Sequence, residues 1–388
     1  MQTVGYALDI TVNGQPLPLD RVPIHSVAIY SSKFQRVPVA EIIFSDPGSL
    51  LALNVTITDG SPVVISLGTN PATQRQYPMR VFKIKKVQGR SGDSYHILLY
   101  YDAPLYWRGT ASVPFKGTSA DAIAAIASTC GLKSYTEKTA DFMTWLPMKE
   151  TYSSWAEYIA KAAYLNDSSG FALGLRMDGI LLLRDVAGYK YDDAAIPKFV
   201  GGLPAPVTGQ NNVPLIGFKH GVISGYKNMI GGYHGQVQMQ TVTSPSETTT
   251  ATNVSKVRAT KQLHMSTTVK SQLGDAPILQ QSMIDAGNVH AHYQQALYQN
   301  ERIDQVFSSI LALLTTTQTS YDLLDRVIVN IYKMGVSGDG PTIDNNLSGN
   351  YHVIGKTVYA DVTGQYAEKF IVATDGHNAD PANTRSDV

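Results

Sequence analysis

The stretch Gly349–Val372, GNYHVIGKTVYADVTGQYAEKFIV, has the alternation of two strands joined by a glycine-containing turn. In an extended chain Val353, Gly355, Thr357 and Tyr359 point one way, and His352, Ile354, Lys356 and Val358 the other. Such a pair must close against a further layer to be stable. Residues 4–110 carry the same patterning. VGYALDITVNGQPL ends its alternation at Asn13-Gly14, a strong hairpin signal. PVAEIIFSDPGS reads as a strand stopped by Asp46-Pro47-Gly48, and SPVVISLG alternates Val63, Ile65 and Leu67. MRVFKIKKV and SYHILLYY follow, split by Gly89–Gly92. Short strands at this spacing predict a sandwich or barrel.

Residues 117–185 change period. GTSADAIAAIASTCGL predicts a helix with Thr118 or Ser119 as N-cap, Ile123, Ile126, Ala127 and Cys130 on its apolar face, and Gly131 at its stop. SSWAEYIAKAAYLNDSSG predicts a second, with Ser154 and Glu157 at capping-box spacing and Trp155, Ile159, Ala162 and Ala163 as its apolar stripe. FALGLRMDGILLLRD reads as a hairpin turning on Met177-Asp178-Gly179.

Residues 196–214 hold four prolines and three glycines, which is linker chemistry. PLIGFKHGVISGYKNMIGGYHGQVQM beyond it is β-like, and 240–262, rich in Thr, Ser and Lys, reads as a long exposed loop or projecting ribbon. NVHAHYQQALYQNERI predicts a helix with Val289, Tyr293, Ala296 and Leu297 on one face; QVFSSILALL and DRVIVNIYKM precede the closing strand pair. The second half repeats the style of the first. Sliding MRVFKIKKVQGRSGDSY over YHVIGKTVYADVTGQY puts Val81 on Val353 and Gly92 on Gly364, and with one gap Tyr95 on Tyr366. A short strand precedes each pair, SPVVISLG and DRVIVNIYKM, so the chain reads as two versions of one barrel. The expected fold is mainly β with an α+β insertion. It divides into a first barrel (1–112), an α+β module (113–195), a linker (196–214), a second barrel with the long loop 240–262 (215–376) and a loose tail (377–388).

Length, charge and composition narrow the function. The 388 residues are long enough for two or three domains. Lys plus Arg and Asp plus Glu are 31 each, which argues against whole-surface nucleic-acid binding. The N-terminus MQTVGYALDITVNG shows no signal-peptide pattern, and no apolar run approaches the roughly 18 residues of a membrane span, so neither secretion nor membrane insertion is expected. Cys130, the single cysteine, forms no intrachain disulfide and reads as a small buried hydrophobe, which fits folding in a reducing cytoplasm.

Catalytic signatures are scarce. His290 and His292, the closest histidine pair, lie ~200° apart if helical and do not share an ion; one exposed and one packed ring is the expectation. The sequence lacks HExxH, a cysteine cluster and an EF-hand loop, and Asp339 and Asp344-Asn345-Asn346 read as turn residues. It has no GxxxxGK[ST], no GxSxG and no strand-linked GxGxxG; GGYHGQ lacks a following helix. No catalytic, cofactor or metal residue is assigned. Glu150, Glu157 and Glu301 stand only as carboxylates that folding could pair. The 22 tyrosines suit half-buried interfaces as well as cores, with Tyr100, Tyr101, Tyr332 and Tyr359 on strands.

Three segments together resemble a family. TVNGQPL, AEIIFSDPGS, the Gly60 turn into VVISLG and MRVFKIKKV form the first. GTSADAIAAIASTCGL, MKETYSSWAEYIAKAA and GFALGLRMDGILLLRD form the second, and GNYHVIGKTVYADVTGQYAEKFIV the third. Their order resembles the baseplate hub proteins of contractile-tailed phages and the hub part of type VI secretion spike proteins. The resemblance implies two tail-tube-like barrels plus a helix–helix–hairpin module, and a homotrimer whose six barrels form a ring. That ring joins a hexameric tail tube to a trimeric spike in the virion, with tape-measure and baseplate wedge proteins as further neighbours and DNA as passing cargo. It implies synthesis in the host cytoplasm, no cofactor and no enzymatic role. The chain ends near residue 388 without a repetitive β-helix, so a separate spike chain is expected. The alternatives are a tail-associated cell-wall hydrolase and a glycan- or receptor-binding tail protein.

Overall fold

A computed structural model describes residues 5–47, 56–89, 92–187, 196–202, 212–222, 235–241, 244–253, 280–284, 289–301, 309–333 and 340–374. The first strands are β1 (Ala7–Val12), β2 (Gln15–Pro16), β3 (Ile24–Ser32), β4 (Val39–Asp46), β5 (Pro62–Gly68), β6 (Arg75–Gly89) and β7 (Gly92–Tyr101). They pair antiparallel in the order β3-β4-β7-β6-β5-β1-β2. Asn13 and Gly14 both take positive φ, as the two-residue turn between β1 and β2 demands. Alternation selects the core: Ile10, Val27, Ile29, Ile42, Phe44, Ile65, Ile97 and Leu99 are all buried.

The middle of the chain gives α1 (Pro104–Arg108), β8 (Phe115–Gly117), α2 (Ser119–Thr129), β9 (Lys133–Thr136), β10 (Met143–Trp145), α3 (Tyr152–Lys161), β11 (Phe171–Leu175) and β12 (Ile180–Asp185). Thr118 caps α2 in a reciprocal box with Asp121. Cys130 is the C-cap, half-buried, and Gly131 follows at φ +71°. The expected capping box at Ser154 and Glu157 does not form. Thr151 caps α3, accepting from the Ser154 amide, and Glu157, in the second turn, reaches Arg36 at 3.1 Å instead. The β11–β12 hairpin turns through Met177–Gly179, with Gly179 at φ +80°, and β9 joins it in parallel.

The remainder comprises β13 (Lys198–Gly201), β14 (Asn212–Pro214), β15 (Gly217–Val222), β16 (Gly235–Thr241), β17 (Ser244–Asn253), β18 (Gln280–Ile284), α4 (Tyr293–Glu301), β19 (Ser309–Thr315), β20 (Arg326–Lys333), β21 (Thr342–Ile343), β22 (Gly349–Asp361) and β23 (Tyr366–Thr374). The stretch read as a linker supplies two strands, β13 and β14, that extend the main sheet beside β20. Phe199 drives this: it is buried against Phe370 and Tyr321. Within 240–262, Ser244–Asn253 forms a ribbon with Gly235–Thr241, which β18 also joins; 254–262 lie outside the described residues, as do Asp339 and the 377–388 tail.

Two five-stranded units emerge with the same order along the chain and across the sheet: β3-β4-β7-β6-β5 and β15-β19-β23-β22-β20. Their registers also match. Val63 pairs with Met79 as Val327 pairs with Tyr351. Each long strand carries a one-residue bulge at the corresponding site, Phe82 after Val81 and Ile354 after Val353. The turns entering β5 and β20 match in detail. Ser61 N donates to Thr58 O at 3.1 Å and Asp325 N to Asp322 O at 3.1 Å, while Gly60 N donates to Val81 O at 2.9 Å and Leu324 N to Val353 O at 2.7 Å. Gly60 and Leu324 both take left-handed φ, +82° and +63°.

The match of Val81 to Val353 therefore holds, but those of Gly92 to Gly364 and Tyr95 to Tyr366 do not. Gly89 pairs directly with Gly92, whereas Asp361 N meets Gln365 O at 3.2 Å, so the second turn is one residue longer. Tyr95 lies opposite Lys86, and its register counterpart is Glu368, opposite Val358. The bulge also breaks the simple alternation of the closing hairpin: Val353 shares a face with Lys356, Val358 and Ala360, not with Thr357 and Tyr359.

Candidate assembly surface

The two units meet at β22. One edge of this strand carries β23; the other carries β20 along Gly349–His352 and then β3 along Gly355–Asp361. In the second stretch Val358 lies opposite Ile29 and Ala360 opposite Val27, all buried. Tyr6 caps the junction, its hydroxyl donating to Asp361 O at 2.8 Å, and Val362 N donates to His25 O at 3.0 Å.

A buried ion pair lies beside this junction. Lys356, opposite Ser31, is 3.2 Å from Glu368, with side chains 2% and 1% exposed. The ammonium also donates to Tyr321 O at 2.8 Å. Glu368 accepts from Thr319 N, Thr319 Oγ1 and the Tyr366 hydroxyl, at 3.1, 2.6 and 2.7 Å. Ser31 in turn donates to Asp322, whose other oxygen accepts from Met177 N. Arg176 and Arg184 each place a guanidinium nitrogen 3.2 Å from Asp325, fastening the β11–β12 hairpin to the turn before β20. His352 is fully buried; desolvation, and then the charges of Arg326 and Arg184, hold its imidazole down at about 3.

Among the described residues the first unit lacks the counterpart of the β3–β22 contact. β5 covers one edge of β6 only from Arg75 to Arg80. Beyond the bulge, Lys83–Gly89 have no strand on that side among the described residues. Lys83, Lys85, Lys86 and Val87 are exposed there. Among the described residues β15, the counterpart of β3, is paired on one side, with β19. The open face of the joined sheet is chemically mixed. One row crossing six strands reads Lys83, Leu98, Glu41, Ala28, Tyr359, Ala367. On the same face a groove of about 570 Å³ is lined by Tyr30, Arg36, Phe82, Leu98, Tyr100 and Trp107. Phe82 and Tyr100 lie 4.6 Å apart, and Arg108 sits over Trp107 at 4.7 Å.

The sequence-picked polar residues fall in separate places. Burial is the main cause that raises the Glu150 carboxyl; a backbone hydrogen bond at Met148 and the charge of Arg36 pull it down, and Glu157 adds the smallest upward push. Glu301 ends α4. His290 and His292 precede α4 rather than lying on it. His290 is buried with Nε2 3.1 Å from Ala162 O, and the exposed His292 stacks on Tyr164 at 4.4 Å. Burial drives the Cys130 thiol up to about 11. No group of three or more metal-ligating side chains occurs among the described residues, and no helix there is long and apolar enough to cross a membrane. Sequence reading missed Asp141, buried and accepting from Ser119 N, Ser119 Oγ and Tyr164 N at 2.8, 2.6 and 2.8 Å.

No protein-family model and no curated protein matches the sequence. Solved structures do. A tail protein from Neisseria meningitidis MC58 aligns over 96% of this chain and 98% of its own, with TM-score 0.57 and 12% identity. The 43 kDa tail protein of prophage MuSo2 from Shewanella oneidensis aligns over 95% and 98%, with TM-score 0.58 and 11% identity. The chain has the fold of these tail proteins. The agreement runs nearly end to end in both directions, so it takes in both five-stranded units and the elements between them.

Proposed function

We propose that the chain is a structural baseplate hub of a contractile phage tail. Residues 1–112 and 215–376 serve as two tail-tube-like barrels, with 113–195 as the module between them. Three copies close into a pseudo-hexameric ring that seats a hexameric tube on one side and a trimeric spike on the other, and DNA passes through. One observation carries this reading: a single chain holds two units of equal strand order, register and bulge position, so threefold symmetry can present six near-equivalent units. The mixed row on the open sheet face suits a bore that cargo crosses without sticking, because it lacks the run of cations that grips phosphate. In this reading the protein performs no catalysis. Negative-stain averages of the purified chain are the test. Rings with threefold symmetry and six lobes are expected; single compact particles at every concentration contradict the proposal.

A second reading, glycan binding, has the aromatic groove of Tyr30, Phe82, Tyr100 and Trp107 in its favour. Saturation-transfer NMR with cell-wall oligosaccharides separates the two: enhancement lost in Trp107→Ala supports it, and no transfer rejects it.

A further inference from the structure

The equivalence of the two units specifies a contact between copies. Within one chain β3 lies along β22, with Ala28 opposite Tyr359, Ile29 opposite Val358 and Val27 opposite Ala360. β22 corresponds to β6, with Val353 on Val81 and Val358 on Lys86, and β3 corresponds to β15 through the pairings with β4 and β19. Carrying the intrachain register across places Val87 opposite Lys219, Lys86 opposite His220 and Lys85 opposite Gly221. We propose that β15 of one protomer pairs antiparallel, in this register, with the open Lys83–Gly89 edge of β6 in the next protomer. This rests on the trimeric ring above. It adds which strands meet and which residues face each other.

Three features favour it. A strand edge without a neighbour is completed most simply by another strand, and β6 extends well past the end of β5 with no other strand beside it among the described residues. Second, Phe218 is 41% exposed, while Val27 at the corresponding position of β3 is fully buried against β22; a neighbouring β6 supplies the missing cover. Third, the register keeps lysines apart. Sliding β15 by two residues in one direction sets Lys219 directly against Lys85, a like-charge pair that weakens a ladder. The edges are different surfaces, so the contact is head-to-tail and closes only as a ring. Three interchain junctions then alternate with three intrachain ones.

Disulfide trapping tests the register. In a Cys130→Ser background, Val87→Cys with Lys219→Cys is oxidised and run on a non-reducing gel, beside Val87→Cys with His220→Cys, which sets the thiols on opposite faces. Ala28→Cys with Tyr359→Cys, the corresponding intrachain pair, calibrates the geometry and reports through a mobility shift at monomer size. The expected result is covalent dimers and trimers from the first pair, few from the second, and an intrachain link in the third. Particle mass is measured on the same samples. A three-chain particle in which the calibrating pair links but the Val87–Lys219 pair does not overturns the register and leaves the ring standing. A single-chain particle overturns the ring reading and the contact with it.

Discussion

Replacing Glu368 with Gln isolates the ion pair beside the junction. The amide keeps the shape and retains an oxygen for Thr319, but the charge facing Lys356 disappears. Lys356, 2% exposed at its side chain, then keeps Tyr321 O at 2.8 Å, the longer contact to Thr319 O at 3.4 Å and the face of the Phe370 ring at 5.1 Å, none of which carries a formal charge. Leaving one member of a buried pair without its partner costs about 3–5 kcal/mol. The reciprocal change, Lys356→Met, leaves a carboxylate that still has three donors from Thr319 and Tyr366, so its cost is smaller, about 2 kcal/mol. The double variant removes both charges and is expected within about 1 kcal/mol of wild type, because burying the pair already costs most of what its attraction returns. Urea unfolding followed by tryptophan fluorescence reads all three. A Glu368→Gln loss below about 1 kcal/mol, or single losses that add in the double variant, refutes the claim that these groups form one desolvated unit.

Three further outcomes follow from the geometry. His352 is held well below its unfolded value, so the unfolded chain takes up this proton first as pH falls; stability is complete above about 6.5 and drains away towards the folded value of about 3. Between pH 7 and 5 this group removes about 2 kcal/mol, and His352→Gln, measured by urea midpoint at both pH values, should flatten that slope. Asp141→Ala strips three hydrogen bonds from the start of α2 and from Tyr164, with an expected loss of about 2–4 kcal/mol and faster amide exchange across Ser119–Ile123. Gly60 and Leu324 occupy the same left-handed position, so Gly60→Ala, which has open space around it, should cost about 1–2 kcal/mol in denaturant titrations, while Leu324→Ala, which empties a buried site, should cost about 2–5 kcal/mol.

Local chemistry made much of this legible. Thr118 and Gly131 bracket α2, Asn13-Gly14 turns β1 into β2, and Asp178-Gly179 closes the β11–β12 hairpin, because each is decided by neighbours in sequence. The duplication showed in the Val81–Val353 match because the bulge keeps side chains at the same phase in both strands. Past the turns it was lost: the second loop is one residue longer, which no residue type announces. Glu157 has capping spacing, yet Arg36, 121 residues away, takes its carboxylate. Residues 196–214 carry the prolines of a linker, but Phe199 buries itself in the second unit and draws the chain into the sheet. The β3–β22 junction, Asp141 and the Lys356–Glu368 pair were invisible for one reason. A carboxylate or a strand edge looks the same in sequence whether water or a distant strand will cover it.

The central claim is that one chain supplies two equivalent units so that three chains make six. Native mass spectrometry of the purified protein across a hundredfold concentration range tests it most directly. The account predicts a dominant species at three times the 42.1 kDa of a single chain; a species that stays at one chain throughout, or assembles in twos, contradicts it.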